Sequence, residues 1–192
     1  MSRPVDGVLK FPKLEFLYLS YAPNDVMFSG WVGDQHGDWE GLKEALTNMI
    51  RSALKGYLNF GSDIGGYKTD SGSKLGRTKE VFTRWFQLGA LLPLMENGGG
   101  GEHRPWVFGN DTLDTYRVFA NIHTNLAPFF LNAGTTCFSK NISVIRPLTT
   151  IFFINQPADF DYIIFETLFV SPFTENSTTK KLVFPGTKTD RW

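Results

Sequence analysis

The chain has 192 residues, a formal net charge of zero and 42% hydrophobic residues, the make-up of a globular domain. Neutral balance, with Lys180-Lys181 the only adjacent basic pair, argues against a nucleic-acid surface. A single cysteine, Cys137, excludes an internal disulfide and a thiolate metal cluster, and no apolar run reaches the length of a membrane span.

In chain order, Val26 to Gly33 is a short apolar run that predicts a strand. Trp39, Leu42, Leu46, Met49, Ile50, Ala53 and Leu54 then recur at helical spacing, with Asp38 placed as the cap, Glu40 in the first turn and Gly56 as the stop. Tyr57 to Ile64 predicts the next strand, and Lys68 to Gly76 a polar loop rich in Gly and Ser. Thr78 to Leu88 predicts a helix with Val81, Phe82, Trp85 and Leu88 on one side. Strand, helix, strand, helix is the order of a parallel α/β layer.

Leu91 to Gly109 reads as loop, broken by Pro93, Pro105 and the Gly98 to Gly101 run. Asp111 to Leu131 predicts a helix with Asp111 and Asp114 as a capping pair, Leu113, Tyr116, Phe119, Ala120 and Leu126 as its apolar stripe, and Pro128 as its kink or end. Ile142 to Thr149 is the candidate for a last barrel strand. Leu168 to Phe173 and Lys181 to Phe184 predict short strands around a polar turn at Glu175 to Thr179.

Two blocks carry candidate chemistry: Trp31-Val32-Gly33-Asp34-Gln35, and Ser62-Asp63-Ile64-Gly65-Gly66-Tyr67. Each ends an apolar run in a carboxylate beside an aromatic ring, the arrangement that places acids at the rim of a sugar-sized pocket. Taken alone, Gly33-Asp34 is ordinary turn chemistry at a strand end and Asp63 is a residue that caps the loop after it. His36, His103 and His123 lack metal-ligand spacing, and the glycine run has no Lys-Ser/Thr after it to cradle phosphate, so no metal and no cofactor is expected.

The blocks resemble glycoside hydrolase family 31, the α-glucosidase and α-xylosidase family. Its general acid/base lies in a Trp-x-Gly-Asp segment, and its next barrel strand ends in Asp-Ile-x-Gly-aromatic. Arg84-Trp85-Phe86-Gln87-Leu88-Gly89-Ala90, Arg104-Pro105-Trp106-Val107-Phe108-Gly109 and Val144-Ile145-Arg146-Pro147-Leu148 resemble later family segments in the same order. The resemblance implies an α/β fold: the C-terminal part of a (β/α)8 TIM barrel over 1–150, followed by the start of a β-sandwich over 151–192. A complete barrel needs about 250 residues.

As to function, the resemblance implies a retaining exo-α-glycosidase that hydrolyses terminal α-linked sugars without a cofactor. Asp34 takes the acid/base role, which needs a carboxyl kept neutral by its surroundings and ionised later in the cycle. Asp63 and Tyr67 hold the terminal sugar, Trp31 flanks the acid, and Arg3 matches a barrel arginine that binds sugar hydroxyls. At Met95-Glu96-Asn97-Gly98 the sequence departs from the family's Arg-x-His-Asn or Arg-x-His-Gly, leaving Asn97 or His103 to supply the missing donor. The family's nucleophile segment, of the type Trp-x-Asp-Met-Asn-Glu, does not occur in the 192 residues. The expectation is therefore a chain that opens mid-barrel, whose partners are a carbohydrate and the missing N-terminal half of the same enzyme, and which is inactive alone. The alternatives are a non-catalytic sugar-binding remnant and an inert truncated gene product. Gly65-Gly66-Tyr67 also resembles the sulfoquinovosidase branch, so glucose, xylose and sulfoquinovose stay open as the sugar. Sequons at Asn110, Asn141 and Asn176 are acceptors only on the secretory route, which leaves the compartment open.

Overall fold

The computed structural model describes residues 29–55, 59–140, 142–148, 160–182 and 184. Arg3 and Gly56 lie outside the described residues, as do the first residues of the strand expected from Val26.

Strand β1 (Ser29–Trp31) is followed by helix α1 (Trp39–Leu54), strand β2 (Asn59–Gly61) and helix α2 (Lys79–Gly89). β1 and β2 are parallel, with Ser29 opposite Asn59 and Trp31 opposite Gly61. Helix α1 starts where its sequence provides a cap, the Asp38 carboxylate accepting the Gly41 amide at 2.7 Å. Its Leu42, Ala45, Leu46, Met49 and Ala53 are buried, the 3.6-residue stripe that drives a helix onto a sheet. Thr78 caps α2 through Val81, and Val81, Phe82, Trp85, Phe86 and Leu88 fill the core.

The parallel layer takes its third member from a segment read as loop. Asp63 and Glu96 form a parallel bridge, and the Ile64 amide donates to the Glu96 carbonyl at 3.1 Å. A methyl group at Gly61 would lie 2.2 Å from the Leu94 carbonyl oxygen, so that approach requires a glycine. The rest of 91–109 is irregular apart from a 3₁₀ turn at Pro105–Val107.

Helix α3 (Asn110–Lys140) corrects the expected boundary, continuing for 31 residues with Pro128 inside it. The ring removes the amide that would reach Thr124, whose exposed position leaves its carbonyl open to water. Burial of Ala133, Gly134 and Cys137 explains why the chain stays helical beyond the proline. Asp111 and Asp114, expected as its capping pair, form ion pairs with Lys79 at 2.5 Å and Arg117 at 3.0 Å. The stripe does pack as expected through Tyr116 and Phe119, which meet Phe86 with ring centroids 5.0 and 6.1 Å apart.

The segment expected to close the barrel behaves otherwise. Strand β3 (Ile145–Pro147) pairs antiparallel with β4 (Tyr162–Ile164), which pairs antiparallel with β5 (Leu168–Val170). Among the described residues these form a sheet separate from β1 and β2. Ile145, Tyr162, Ile164 and Val170 are buried in the common core, so an apolar run read as a parallel strand is used here in an antiparallel one. Lys181 and Leu182 are exposed and form no strand, against expectation.

Candidate functional site

The site lies where β1, β2 and the Glu96 stub end. Beyond Trp31 the Val32 amide donates to the Gly61 carbonyl at 3.1 Å, continuing the ladder to the turn that carries Asp34. Gly33 has φ +91°, a value that favours glycine and swings the chain so that Asp34 is exposed while Val32 and Gln35 on either side are buried. The Gln35 amide nitrogen donates to the Val32 carbonyl at 2.9 Å and its main-chain carbonyl receives the Lys68 amide at 2.9 Å. These bonds tie the Asp34 turn to the segment after Tyr67.

Asp63 stands at the end of the neighbouring strand. Its flank is fixed from behind, because the buried Trp85 indole donates to the Ser62 hydroxyl at 2.8 Å. Asp63 is only 7% exposed, and its Oδ2 has no hydrogen-bond partner. Burial raises its carboxyl to about 6, with the charge of Asp34 adding to the rise. Parallel register thus brings Asp34 and Asp63 close enough for one to feel the other.

Glu96 is the residue that sequence reasoning passed over. Burial, and after it the charge of Asp63, lifts its carboxyl to about 7, and its Oε1 is also without a partner. The one hint in the sequence was its place in Met95-Glu96-Asn97, where an acid stands inside the segment that departs from the family pattern.

Asn97 and His103 are brought together and engage each other. The Asn97 amide donates to the His103 carbonyl at 3.1 Å, and Asn97 Oδ1 lies 2.8 Å from His103 Nδ1. His103 Nε2 is 3.2 Å from the Gly100 carbonyl. Burial, and then the nearby Arg77 charge, lower the His103 pKa. Trp31 and Tyr67 are 40% and 45% exposed, which leaves ring surface at the rim.

The loops that frame these groups converge on Arg77, a second residue missed by sequence reasoning. Its fully buried guanidinium donates to the carbonyls of Gly65 at 2.7 Å, Gly66 at 3.0 Å and Gly100 at 2.6 Å, and to that of Glu102. Gly65 and Gly66 both have φ +81°. A Cβ at Gly65 would strike Arg77 Cδ at 2.6 Å, so the close approach needs the glycine. The Gly100 amide in turn donates to the Tyr67 carbonyl at 2.8 Å, which folds the glycine run around the base of Tyr67. The sequence signal was a lone arginine after a Gly/Ser-rich loop.

Cys137 is buried far from these groups in the sequence, its thiol 3.7 Å from the Ser143 carbonyl and pushed up to about 11 by desolvation. Among the described residues no three His, Cys, Asp or Glu side chains gather to hold a metal, and no helix is long and apolar enough to cross a membrane.

Carboxylates at the C-terminal ends of adjacent parallel strands, each strand followed by a helix, define part of a (β/α) barrel with its site at the customary end. The chain belongs to glycosyl hydrolase family 31: residues 21–133 match the Glycosyl hydrolases family 31 TIM-barrel domain. It is 25% identical over 173 residues to an alpha-glucosidase of Mucor javanicus, covering 84% of this chain and 19% of that protein. It is 32% identical over 126 residues to a sulfoquinovosidase of Escherichia coli, covering 62% of this chain and 18% of that one. In fold it resembles the cycloalternan-degrading enzyme from Trueperella pyogenes, with a TM-score of 0.68, 19% identity, and coverage of 80% of this chain and 23% of that chain. The chain spans about a fifth of the length of the curated relatives it matches.

Proposed function

We propose that the chain carries the acid/base and sugar-holding side of a retaining exo-α-glycosidase acting on terminal α-linked sugars. The observation that supports this best is the juxtaposition of Asp34 and Asp63 on neighbouring strand ends, one carboxyl exposed and the other buried. Retaining hydrolysis divides its labour between a nucleophile and a group that first gives and later takes a proton. Asp34 is the proton donor to the leaving oxygen, reachable from solvent so that it can reload. Asp63 accepts hydrogen bonds from hydroxyls of the terminal sugar in a site with little water, and Tyr67 stacks on or bonds to the sugar beyond. Trp31 forms an apolar wall beside the acid, and Asn97 and His103 add polar lining. In this reading the barrel part ends with α3, before the boundary expected at 150, because β3 pairs with β4 and β5 in the sheet that begins the β-sandwich.

The 192 residues contain no segment of the nucleophile type, so the chain on its own binds and does not turn over. The same fact favours a second reading, a sugar-binding remnant that retains Asp63 and Tyr67. The test is titration of the purified chain with methyl α-glucoside and methyl α-xyloside, alongside hydrolysis of their nitrophenyl counterparts. Saturable binding that Asp63→Ala weakens by about 2 to 4 kcal/mol is expected, the range for hydrogen bonds to a charged group lost from a dry site. Nitrophenol release should stay at background. Robust hydrolysis by the chain would refute the assignment of the nucleophile to a missing segment, and absence of binding would refute the sugar site.

A further inference from the structure

The Asp63–Glu96 pair is unusual in what surrounds it. Two carboxyl groups sit at bridge partners on adjacent parallel segments. Asp63 is more than nine-tenths buried, and one oxygen on each residue is buried without a hydrogen-bond partner. Such atoms cost free energy unless something outside the chain supplies a donor. The nearby cation is committed elsewhere, since Arg77 spends its guanidinium on the carbonyls of Gly65, Gly66, Gly100 and Glu102. Glu102 closes on Arg104 at 2.6 Å, and the His103 ring is engaged with Asn97 and Gly100. Among the described residues no lysine or arginine forms an ion pair with Asp34, Asp63 or Glu96. The remaining charge that Asp63 feels, that of Asp34, has the same sign.

We infer that Glu96, with Asp63, forms a two-carboxyl subsite selective for a sugar bearing an ammonium group, and that it excludes sugars bearing a carboxylate or sulfonate. The inference rests on the sugar-site reading above and adds the charge of the sugar it takes. A neutral hydroxyl offers one donor and leaves the mutual repulsion of the carboxyls in place. A primary ammonium offers three donors and one positive charge, which satisfies both orphan oxygens and offsets the repulsion. An anionic sugar brings a third or fourth negative charge into a site that holds no described counter-ion. Of the sugars left open by the sequence, sulfoquinovose is the one this subsite rejects.

The experiment compares charge within one sugar frame. The purified 192-residue chain at pH 7 is titrated by calorimetry with methyl α-glucoside, its 2-amino and 6-amino derivatives, and methyl α-glucuronide. One amino sugar is expected to bind at least about tenfold tighter than the neutral parent, the factor carried by one unit of displaced ionisation, and the glucuronide not at all. Glu96→Gln, which keeps shape and removes charge, should reduce the amino preference to about parity while neutral binding persists. Near-ultraviolet dichroism of the tryptophans checks that this variant is folded, and the wild-type series decides the matter if it is not. Equal affinity for neutral and amino sugars, glucuronide binding, or an unchanged preference in a folded Glu96→Gln would overturn the inference and leave the sugar site standing. Failure of every sugar to bind would overturn both.

Discussion

Replacing Arg77 with methionine keeps most of the side chain's volume and removes its donors from four carbonyls. Gly65 and Gly66 are buried, so their oxygens stay away from water in the variant, while Gly100 is exposed and Glu102 half-buried and both can rehydrate. Two stranded carbonyls at about 1 to 3 kcal/mol each give a gross loss of about 4 kcal/mol. Relief from burying a guanidinium, the same desolvation that lowers its pKa, returns part of this and leaves a net loss of about 3 kcal/mol. A domain holds only about 5 to 15 kcal/mol in total. In urea unfolding followed by tryptophan fluorescence, that loss moves the midpoint down by about 1.5 M for a slope of about 2 kcal/mol/M. Arg77→Lys keeps the charge as a single compact ammonium that cannot span carbonyls on two loops, so it should recover less than half. A methionine variant within about 1 kcal/mol of wild type, or a lysine variant equal to it, would refute the account of Arg77 as the tie between the loops.

Stability should also depend on pH through Asp63 and Glu96. Their folded carboxyls, at about 6 and about 7, stand above the ordinary values of 3.8 and 4.5, so between about pH 4 and 7 the folded chain binds more protons than the unfolded one. Stability therefore falls as pH rises through that window, by about 3 kcal/mol for the pair because the first proton relieves their repulsion. The double variant Asp63→Asn, Glu96→Gln should flatten this part of a urea-midpoint profile, and a slope unchanged by it would count against the pairing. Gly66→Ala places a methyl group 2.5 Å from the His36 carbonyl at a backbone φ of +81°. A fall in Tm of about 6 °C or more is expected on heating, from about 2 to 3 kcal/mol of strain, and an unchanged Tm would mean the turn relaxes freely. Asp38→Ala removes the α1 cap and should cost about 1 kcal/mol in the same measurement, with no loss pointing to a substitute cap.

What the sequence disclosed was mostly local. Asp38, Thr78 and the stripes of α1 and α2 act within a few residues of themselves, and the two acid-bearing strand ends follow apolar runs with glycine after them. The third strand stub was hidden because its partner is distant. Glu96 lies against Asp63 owing to the bare backbone of Gly61 under Leu94, a contact that no window around Pro93 and the glycine run contains. Helix α3 was cut short on the strength of Pro128, although the burial of Ala133 and Cys137 outweighs one lost hydrogen bond. The direction of β3 follows from its pairing with Tyr162–Ile164, residues with no strand signal strong enough to be singled out. Arg77 was passed over because a single arginine after a polar loop reads as solvated unless the folded loops are seen to close on it.

Helix α3 also has a mechanical consequence. At about 1.5 Å per residue its 31 residues make a rod of about 46 Å, longer than either sheet is wide. Its front half is clamped to α2 by Tyr116 and Phe119, and its rear half is sunk in the core by Ala133, Gly134 and Cys137. Pro128 sits between the two grips, at the point where the rod lacks a rung. The stretch from there to Lys140 is about 18 Å, so a bend of about 20° at the proline sweeps its tip by about 6 Å. A change of angle at that one residue would therefore be felt at the Cys137 end of the helix while the clamp on α2 stayed where it is.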